Sequence, residues 1–332
     1  MTDTKNLTCL RIETLHDLHQ QHQDEHLLVG FRFGQSQQHS QHPAIVDLAL
    51  PPLTDDHLIE AWWYQGPVHY RQHGRARIAE CADFAVVTVE FPDAGTNDFQ
   101  QLTLEAYREL LSAIEATGQP HMIKIWNYFD QINRGDGDEE KYRRFSVGRA
   151  FAFDEFHIRD DELPTGTAIG SHGGQKLCLI ALVSNHTLHR FENPRQVSAY
   201  QYPVKYGPKS PKFSRAGVVS MGRQKLFMLS GTASVVGHES AHPNDIGSQT
   251  AETFLNLKYL SQTATSLAVS QPDADWEQSS VLRVYLRQAE DLPFVQHQFH
   301  EVLGRDTTNV SFLQGDICRD ELVIEIDGLK LT

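Results

Sequence analysis

The sequence predicts an α+β protein made of two similar halves, each a mixed sheet packed against helices. The first observation is an internal repeat: an amphipathic helix followed by an apolar strand occurs near residue 110 and again near residue 255. The second is that short apolar strands precede each copy. The third is size, because 332 residues, 40% of them hydrophobic, suffice for one large domain or two ordinary ones.

The first copy contains a helix at 104–114, in which apolar residues recur every three or four positions and so share one face. Gly118 is the expected end of this helix, because glycine readily takes the left-handed conformation found after many helices. A strand is predicted at 122–127. Strands at 77–80 and 84–90 precede the helix.

The second copy begins with a strand at 224–229 and continues with a helix at 249–260 and a strand at 280–286. A further helix is expected from Asp291, a residue type that often caps helices, to Gly304.

Two strands, at 309–313 and 321–327, complete the second copy. The last strand alternates, so Glu325 and Asp327 should lie on the face opposite its leucine and isoleucine residues. We therefore expect an N-terminal half at 1–160, connecting strands and a loop at 161–216, and a C-terminal half at 217–332.

Composition and charge exclude several classes of function. The formal net charge of −14 argues against a nucleic-acid or anionic-membrane partner, since both require a positive field. The four cysteines are scattered without a C-x-x-C pair, which fits neither a disulfide framework nor a zinc ribbon. No apolar run of signal-peptide or membrane-spanning length is present, so a cytoplasmic location is expected.

Two histidine-containing stretches could suggest metal binding. His238-Glu-Ser-Ala-His242 matches H-E-x-x-H, a pattern that binds zinc only on a helix. Gly237 before it and Pro243-Asn-Asp245 after it favour turns, so we expect a polar loop and no metal site. The irregular Gln- and His-rich stretch from His16 to His42 is expected to be solvated loop around a strand at 27–33.

The second half contains three motifs: Leu-Ser-Gly-Thr-Ala at 229–233, Gln249-Thr with Asn256-Leu on the helix, and the closing segment 318–326. With these motifs, residues 217–330 resemble the RidA (YjgF-like) family, which implies a chorismate mutase-like fold for each half. The whole chain resembles the chorismatases, which are built from two RidA-like halves. Four further segments carry this second resemblance: 125–128, 142–149, 202–215 and the block from 230 to 240.

The resemblance implies cleavage of chorismate to pyruvate and a ring acid, here 3-hydroxybenzoate, with 4-hydroxybenzoate as a second product if the chain is of the bifunctional type. Chorismate carries two carboxylates and an enol ether, and arginine can bind both oxygens of a carboxylate. By resemblance, Tyr142 and Arg149 form one carboxylate clamp, and Tyr202 and Arg215 form the other, each pair on a loop-like segment. The implied chemistry requires no metal or other cofactor, and the glycine-rich stretch 170–174 lacks the Lys-Ser/Thr of a phosphate loop.

The resemblance also implies the catalytic groups. Glu325 matches the functional glutamate of the family, and burial in an apolar strand would keep it protonated as the acid. Glu321 is the rival carboxyl group. Cys318 and Gly231 are implied to set the product, with Gly231 leaving room for the ring and the thiol replacing a water site.

Two other functions remain open at this point. A RidA-like enamine or imine deaminase also protonates a carbon and binds a carboxylate, but the second Tyr and Arg pair favours a larger, doubly charged substrate. A non-catalytic sensor of aromatic acids would keep the pocket without turnover. The sequence leaves the number of subunits open.

Overall fold

The computed structural model describes residues 7–14 (backbone only), 25–34, 42–54, 58–93, 98–266, 280–304, 306–307 and 309–331. Three β-sheets face one another around a common apolar core. Helices cover the outer faces of two of these sheets and form two further cores there. No helix within the described residues is long and apolar enough to cross a membrane.

The N-terminal sheet has four strands in the order β1-β4-β2-β3. These strands are β1 (Leu7–Thr14), β2 (Glu25–Phe33), β3 (Ile45–Leu48) and β4 (Leu58–Gln65). Strand β2 confirms the strand predicted at 27–33. Of the histidines in the stretch around it, His16, His19, His22 and His39 lie outside the described residues.

The central sheet contains the first predicted copy, with strands in the order β5-β6-β7-β10-β8-β9. Its elements are β5 (His69–His73), β6 (Ala76–Glu80), β7 (Phe84–Pro92), α1 (Phe99–Thr117), β8 (His121–Asp130), α2 (Lys141–Glu155), β9 (Thr165–Ser171) and β10 (Lys176–Ser184). Helix α1 confirms the predicted helix. It ends at Gly118, whose φ of 71° is left-handed.

The C-terminal sheet contains the second copy, with strands in the order β11-β12-β13-β18-β16-β17. Its elements, with a small hairpin of β14 and β15, are β11 (Leu188–Phe191), β12 (Ala216–Met221), β13 (Gln224–Ala233), β14 (Val235–Val236), β15 (Glu239–Ser240), α3 (Ile246–Ser266), β16 (Val281–Leu286), α4 (Leu292–Leu303), β17 (Val310–Gln314) and β18 (Ile324–Leu331). Asp291 does precede α4, but its side chain makes no capping hydrogen bond.

The closing strand differs from its predicted range of 321–327. Strand β18 begins at Ile324, and residues 321–323 belong to the preceding loop. The reason is local hydrogen bonding: the Gln249 side chain donates to the Glu321 carbonyl at 2.7 Å and accepts from Val323 N–H at 2.9 Å. These backbone groups are therefore satisfied by a side chain instead of a neighbouring strand.

The two larger sheets have the same topology, which confirms the internal repeat. Counted along the chain, the third and sixth strands of each sheet (β7 with β10, β13 with β18) pair antiparallel at its centre. The fourth and fifth strands (β8 with β9, β16 with β17) pair in parallel. The N-terminal sheet reproduces the last four strands of this order, equivalent to β7-β10-β8-β9, with the same pairing directions. This third, shorter repeat was not predicted.

The connecting segment at 161–216 contributes to both larger sheets. Strands β9 and β10 belong to the central sheet, β11 opens the C-terminal sheet, and a long loop leads to β12. The division of the chain at these boundaries stays a prediction. What matters for the site is that the loop runs along the junction of the two sheets, where Thr165 and Ser214 form a parallel bridge.

Candidate active site

A cavity of about 390 Å³ lies between the central and C-terminal sheets. This volume falls at the lower end of the range for small-molecule sites. All seven predicted site residues line it: Tyr142, Arg149, Tyr202, Arg215, Gly231, Cys318 and Glu325. The rival carboxyl group, Glu321, lines it too. The residues come from both halves of the chain, so neither half holds the site alone.

Glu325 lies on β18, between Ala233 of β13 and Tyr285 of β16. It is 5% exposed, and no described residue forms an ion pair with it. Burial, and next the charge of Asp327, raise the pKa of Glu325 to about 8. The group is therefore a protonated carboxylic acid at neutral pH, which can donate a proton into the cavity.

Gly231 lies in a β-bulge that faces Glu325. Leu229 and Thr232 of β13 are paired with Gly328 and Ile326, so β13 has one extra residue at this point. A Cβ atom at position 231 would lie 1.9 Å from Oε1 of Glu325. A side chain at position 231 would therefore displace the Glu325 carboxyl group, and glycine leaves that group where it stands.

A buried ion pair supports the strand behind Glu325. Asp327 follows two residues later and lies 3.3 Å from the Lys124 ammonium group of the central sheet, with both side chains essentially unexposed. Asp327 also accepts hydrogen bonds from Trp126 at 3.0 Å and from Thr167 at 2.6 Å. These contacts join the two sheets beneath the cavity and compensate the charge of Asp327.

The position that corresponds to Glu325 in the central sheet holds a cysteine. Tyr285 opposes Glu325, and Tyr128 opposes Cys178 in the same strand arrangement. The two tyrosine hydroxyls lie 3.0 Å apart, as expected of equivalent positions around a common core. Cys178 is buried in that core, so at this position only the C-terminal sheet carries a carboxylic acid.

Tyr142 and Arg149 lie on helix α2, and the prediction of a loop-like segment was wrong for this pair. Seven residues span two helical turns, which puts both side chains on the same face. The ring of Phe145 lies between them, stacked on Tyr142 and 4.9 Å from the Arg149 guanidinium. Burial raises the pKa of Tyr142 well above its ordinary value, so its hydroxyl is a neutral donor.

Arg149 is only 3% exposed, and its Nε and Nη2 have no hydrogen-bond partner among the described residues. Unsatisfied buried donors are costly, and a positive charge without a counter-ion more so. A planar pair of donors at a cavity wall is the arrangement that accepts a carboxylate.

The second predicted pair is in direct contact. Arg215 donates from Nη2 to the Tyr202 hydroxyl at 2.6 Å and to the Val197 carbonyl at 3.2 Å. Its Nε is buried without a partner among the residues that the structure describes. Both residues lie on the long loop between β11 and β12, as predicted, so this cation reaches the cavity from the junction of the sheets.

Cys318 is half-buried at the cavity wall and forms no disulfide. Burial, and next the nearby Glu325, raise the pKa of its thiol to about 12. It is therefore a thiol at neutral pH and not a thiolate, which argues for a steric and polar role over nucleophilic attack.

Sequence reasoning missed Arg319 and Tyr206, which also line the cavity. The Arg319 guanidinium lies 4.1 Å from the centre of the Tyr206 ring and donates to Ser240 at 3.0 Å. The Tyr206 hydroxyl is 3.1 Å from the His238 ring. A basic residue directly after Cys318, inside a family motif, was the available signal for Arg319.

The H-E-x-x-H segment is not helical, as predicted. Glu239 and Ser240 form β15 of the short hairpin, Glu239 pairs with Lys205 at 2.9 Å, and His238 contacts Tyr206. The segment therefore holds the loop that carries Tyr202, and its two histidines do not share a helix face.

Comparison with known proteins agrees with this arrangement. A family model described as chorismatase FkbO/Hyg5-like, N-terminal, matches residues 60–183. A 3-hydroxybenzoate synthase from Streptomyces hygroscopicus is 35% identical over 244 residues, 71% of each chain. A chorismatase from Streptomyces rapamycinicus is 32% identical over 285 residues, 83% of each chain. The crystal structure of a chorismatase covers 99% of this chain and 100% of its own, with a TM-score of 0.87 and 26% identity. The chain belongs to the chorismatase family.

Proposed function

We propose that this protein cleaves chorismate to pyruvate and 3-hydroxybenzoate. The similarity to a 3-hydroxybenzoate synthase and to chorismatases supports the reaction class. The observation that carries the proposal is the buried, protonated Glu325 in a cavity that is also lined by Arg149 of α2 and Arg215 of the loop before β12. An acid and two cations in one cavity suit a substrate with two carboxylates and an acid-labile enol ether.

Binding uses the two arginines. Arg149 offers Nε and Nη2 to one carboxylate, with the neutral Tyr142 hydroxyl as a further donor. Arg215, oriented by Tyr202 and the Val197 carbonyl, offers Nε to the other. A doubly charged ligand fits this pair better than the small substrate of an enamine deaminase, so the deaminase alternative is not favoured.

Glu325 then transfers its proton to the methylene carbon of the enolpyruvyl group. A C–H bond forms, the carboxylic O–H bond breaks, and the enol ether becomes an oxocarbenium ion. Cleavage of the ring C–O bond releases this fragment as pyruvate, whose ketone oxygen is the former ether oxygen. Glu325 suits the role of general acid near neutral pH because a group with a pKa of about 8 is protonated there and has a pKa close to the working pH.

The neighbouring ring hydroxyl attacks the carbon that pyruvate leaves, which forms an arene-oxide-like intermediate. The hydroxyl proton passes to the Glu325 carboxylate and restores the acid. One C–O bond of the three-membered ring then breaks, its oxygen takes up a proton and the ring carbon that keeps the oxygen loses one, which gives the aromatic acid. The atoms of chorismate equal those of pyruvate and hydroxybenzoate together, so neither water nor a cofactor is consumed. Opening the other C–O bond gives 4-hydroxybenzoate as a minor product.

The test is to incubate the pure protein with chorismate, without added metal or nucleotide, and to separate the products. We expect pyruvate with 3-hydroxybenzoate in equal amounts. A non-aromatic diol acid in its place would keep the cleavage and reject the arene-oxide route. Intact chorismate with folded protein would reject the proposal. Chorismate binding without turnover would then favour the sensor.

A further inference from the structure

The loop 315–323 joins β17 to β18 and supplies much of the cavity wall. Five of its residues line the cavity: Cys318, Arg319, Asp320, Glu321 and Leu322. Because β16 lies between β17 and β18 in the sheet, the loop must cross over the carboxyl end of β16. The first residue beyond that end is Arg287, which therefore lies beneath the loop.

The Arg287 guanidinium makes six hydrogen bonds, and three of them go to backbone carbonyls of the loop. Nε donates to Leu322 O at 3.0 Å, and Nη2 donates to Ile317 O and Arg319 O, both at 3.1 Å. The two carbonyls on Nη2 belong to the residues on either side of Cys318. The position of the thiol is therefore tied to one nitrogen atom of Arg287.

The other three hydrogen bonds go to two side chains, Asp316 within the loop and Asn133 outside it. Nη1 donates to the Asp316 carboxylate at 2.7 Å, and both terminal nitrogens donate to the Asn133 side-chain oxygen at 3.3 Å. Asn133 lies in the first half of the chain, so Arg287 ties the loop to a residue outside the C-terminal sheet. The Arg287 side chain is 16% exposed, and a lysine has neither the planar fork nor enough donors for these partners.

We propose that Arg287 is a positioning residue that holds the loop 315–323 and thereby sets the product of the reaction through the position of Cys318. The part about the product rests on the proposed function. Arg287 does not line the cavity and touches no reacting atom. It determines where the thiol stands relative to the ring, and thus whether the ring hydroxyl or a water molecule attacks as pyruvate leaves.

The test is Arg287→Lys, with Arg108→Lys as the matched control. Arg108 also makes a two-nitrogen ion pair, with Glu155, but on the exposed surface of α1 away from the cavity. The readouts are the product mixture, KM and kcat separately, thermal unfolding, and the rate at which a thiol reagent labels Cys318. Cys318→Ala protein identifies the labelling of that residue.

We expect folded Arg287→Lys protein to shift the product mixture toward the non-aromatic diol, with KM nearly unchanged because the two clamps are intact. Losing several hydrogen bonds should raise the open population of the loop, and with it the labelling rate, by about tenfold or more. The control should match the wild type. A wild-type product mixture and labelling rate in folded Arg287→Lys protein would overturn the proposal.

Labelling separates this proposal from the proposed function. If the wild type leaves chorismate intact, the proposed function fails, and the labelling rate still decides whether Arg287 holds the loop. If Arg287→Lys does not fold, Asn133→Ala removes only the anchor and should raise the labelling rate in the same direction. An unchanged rate in that variant would then count against the proposal.

Discussion

Replacing Glu325 by glutamine should abolish turnover and, at the same time, stabilise the protein at alkaline pH. The two side chains have nearly the same shape, but glutamine has no proton to donate and no charge to bury. Glu325 is only 5% exposed, so water does little to stabilise its ionised form in the folded protein. Ionisation of the folded protein is therefore costly. The variant thus tests the acid through both catalysis and stability.

The magnitude follows from the pKa of Glu325, which burial and then Asp327 raise from 4.5 to about 8. Since the folded-state pKa is the higher one, the favourable contribution of this group is complete below pH 4.5 and is lost as the pH rises toward 8. At 1.36 kcal/mol per pH unit, the full loss is about 5 kcal/mol. Between pH 6 and pH 8, the wild type should lose about 2 kcal/mol relative to Glu325→Gln.

The assay is urea unfolding of both proteins at the two pH values, together with chorismate turnover. Glu321→Gln is the matched control, because it makes the same chemical change in a cavity-lining glutamate of the loop 315–323, and it should retain turnover. A stability difference that does not change with pH would show that Glu325 is already ionised. Turnover by Glu325→Gln would refute its role as the acid.

Three further variants test the rest of the site. Gly231→Ala places a Cβ atom 1.9 Å from Glu325 Oε1, so the carboxyl group must move. In steady-state assays kcat should fall about 100-fold, with little change in KM. A wild-type kcat would show that the carboxyl group can relocate freely. Arg149→Lys removes the planar pair of unpartnered donors, so KM for chorismate should rise about tenfold or more, whereas an unchanged KM would rule out the clamp. Cys318→Ala should keep turnover within about tenfold, because a thiol with a pKa of about 12 is not a thiolate at neutral pH. The ratio of products separated by chromatography should change. Complete loss of turnover would instead indicate that Cys318 is a nucleophile.

Helices α1, α3 and α4 were predictable because their signals are local. Apolar residues at helical spacing and a left-handed Gly118 identify α1 without reference to the remainder of the chain. The strands were recognised individually, but their order was not, since pairing partners lie far apart in sequence. The N-terminal sheet escaped prediction for this reason: its likeness to the other two sheets lies in the pairing order of its four strands.

The site residues were named through family motifs, and their chemistry through residue type. The motifs did not identify the residues that hold these side chains in position. Arg287 looks like an ordinary charged residue after a strand, yet it makes six hydrogen bonds beneath the loop of Cys318. Lys124 stands inside an apolar strand, and its partner Asp327 belongs to the last strand of the other large sheet.

The sequence by itself determined the α+β class, the internal repeat and the residue types that the chemistry needs, because periodicity and side-chain chemistry are properties of short segments. Only the tertiary structure decided that Tyr142 and Arg149 lie on a helix, that Gly231 makes room for Glu325, and that Glu325 is a neutral acid. A pKa and a close contact depend on which distant segments exclude water from a group and which charges they bring to it, and folding alone sets both.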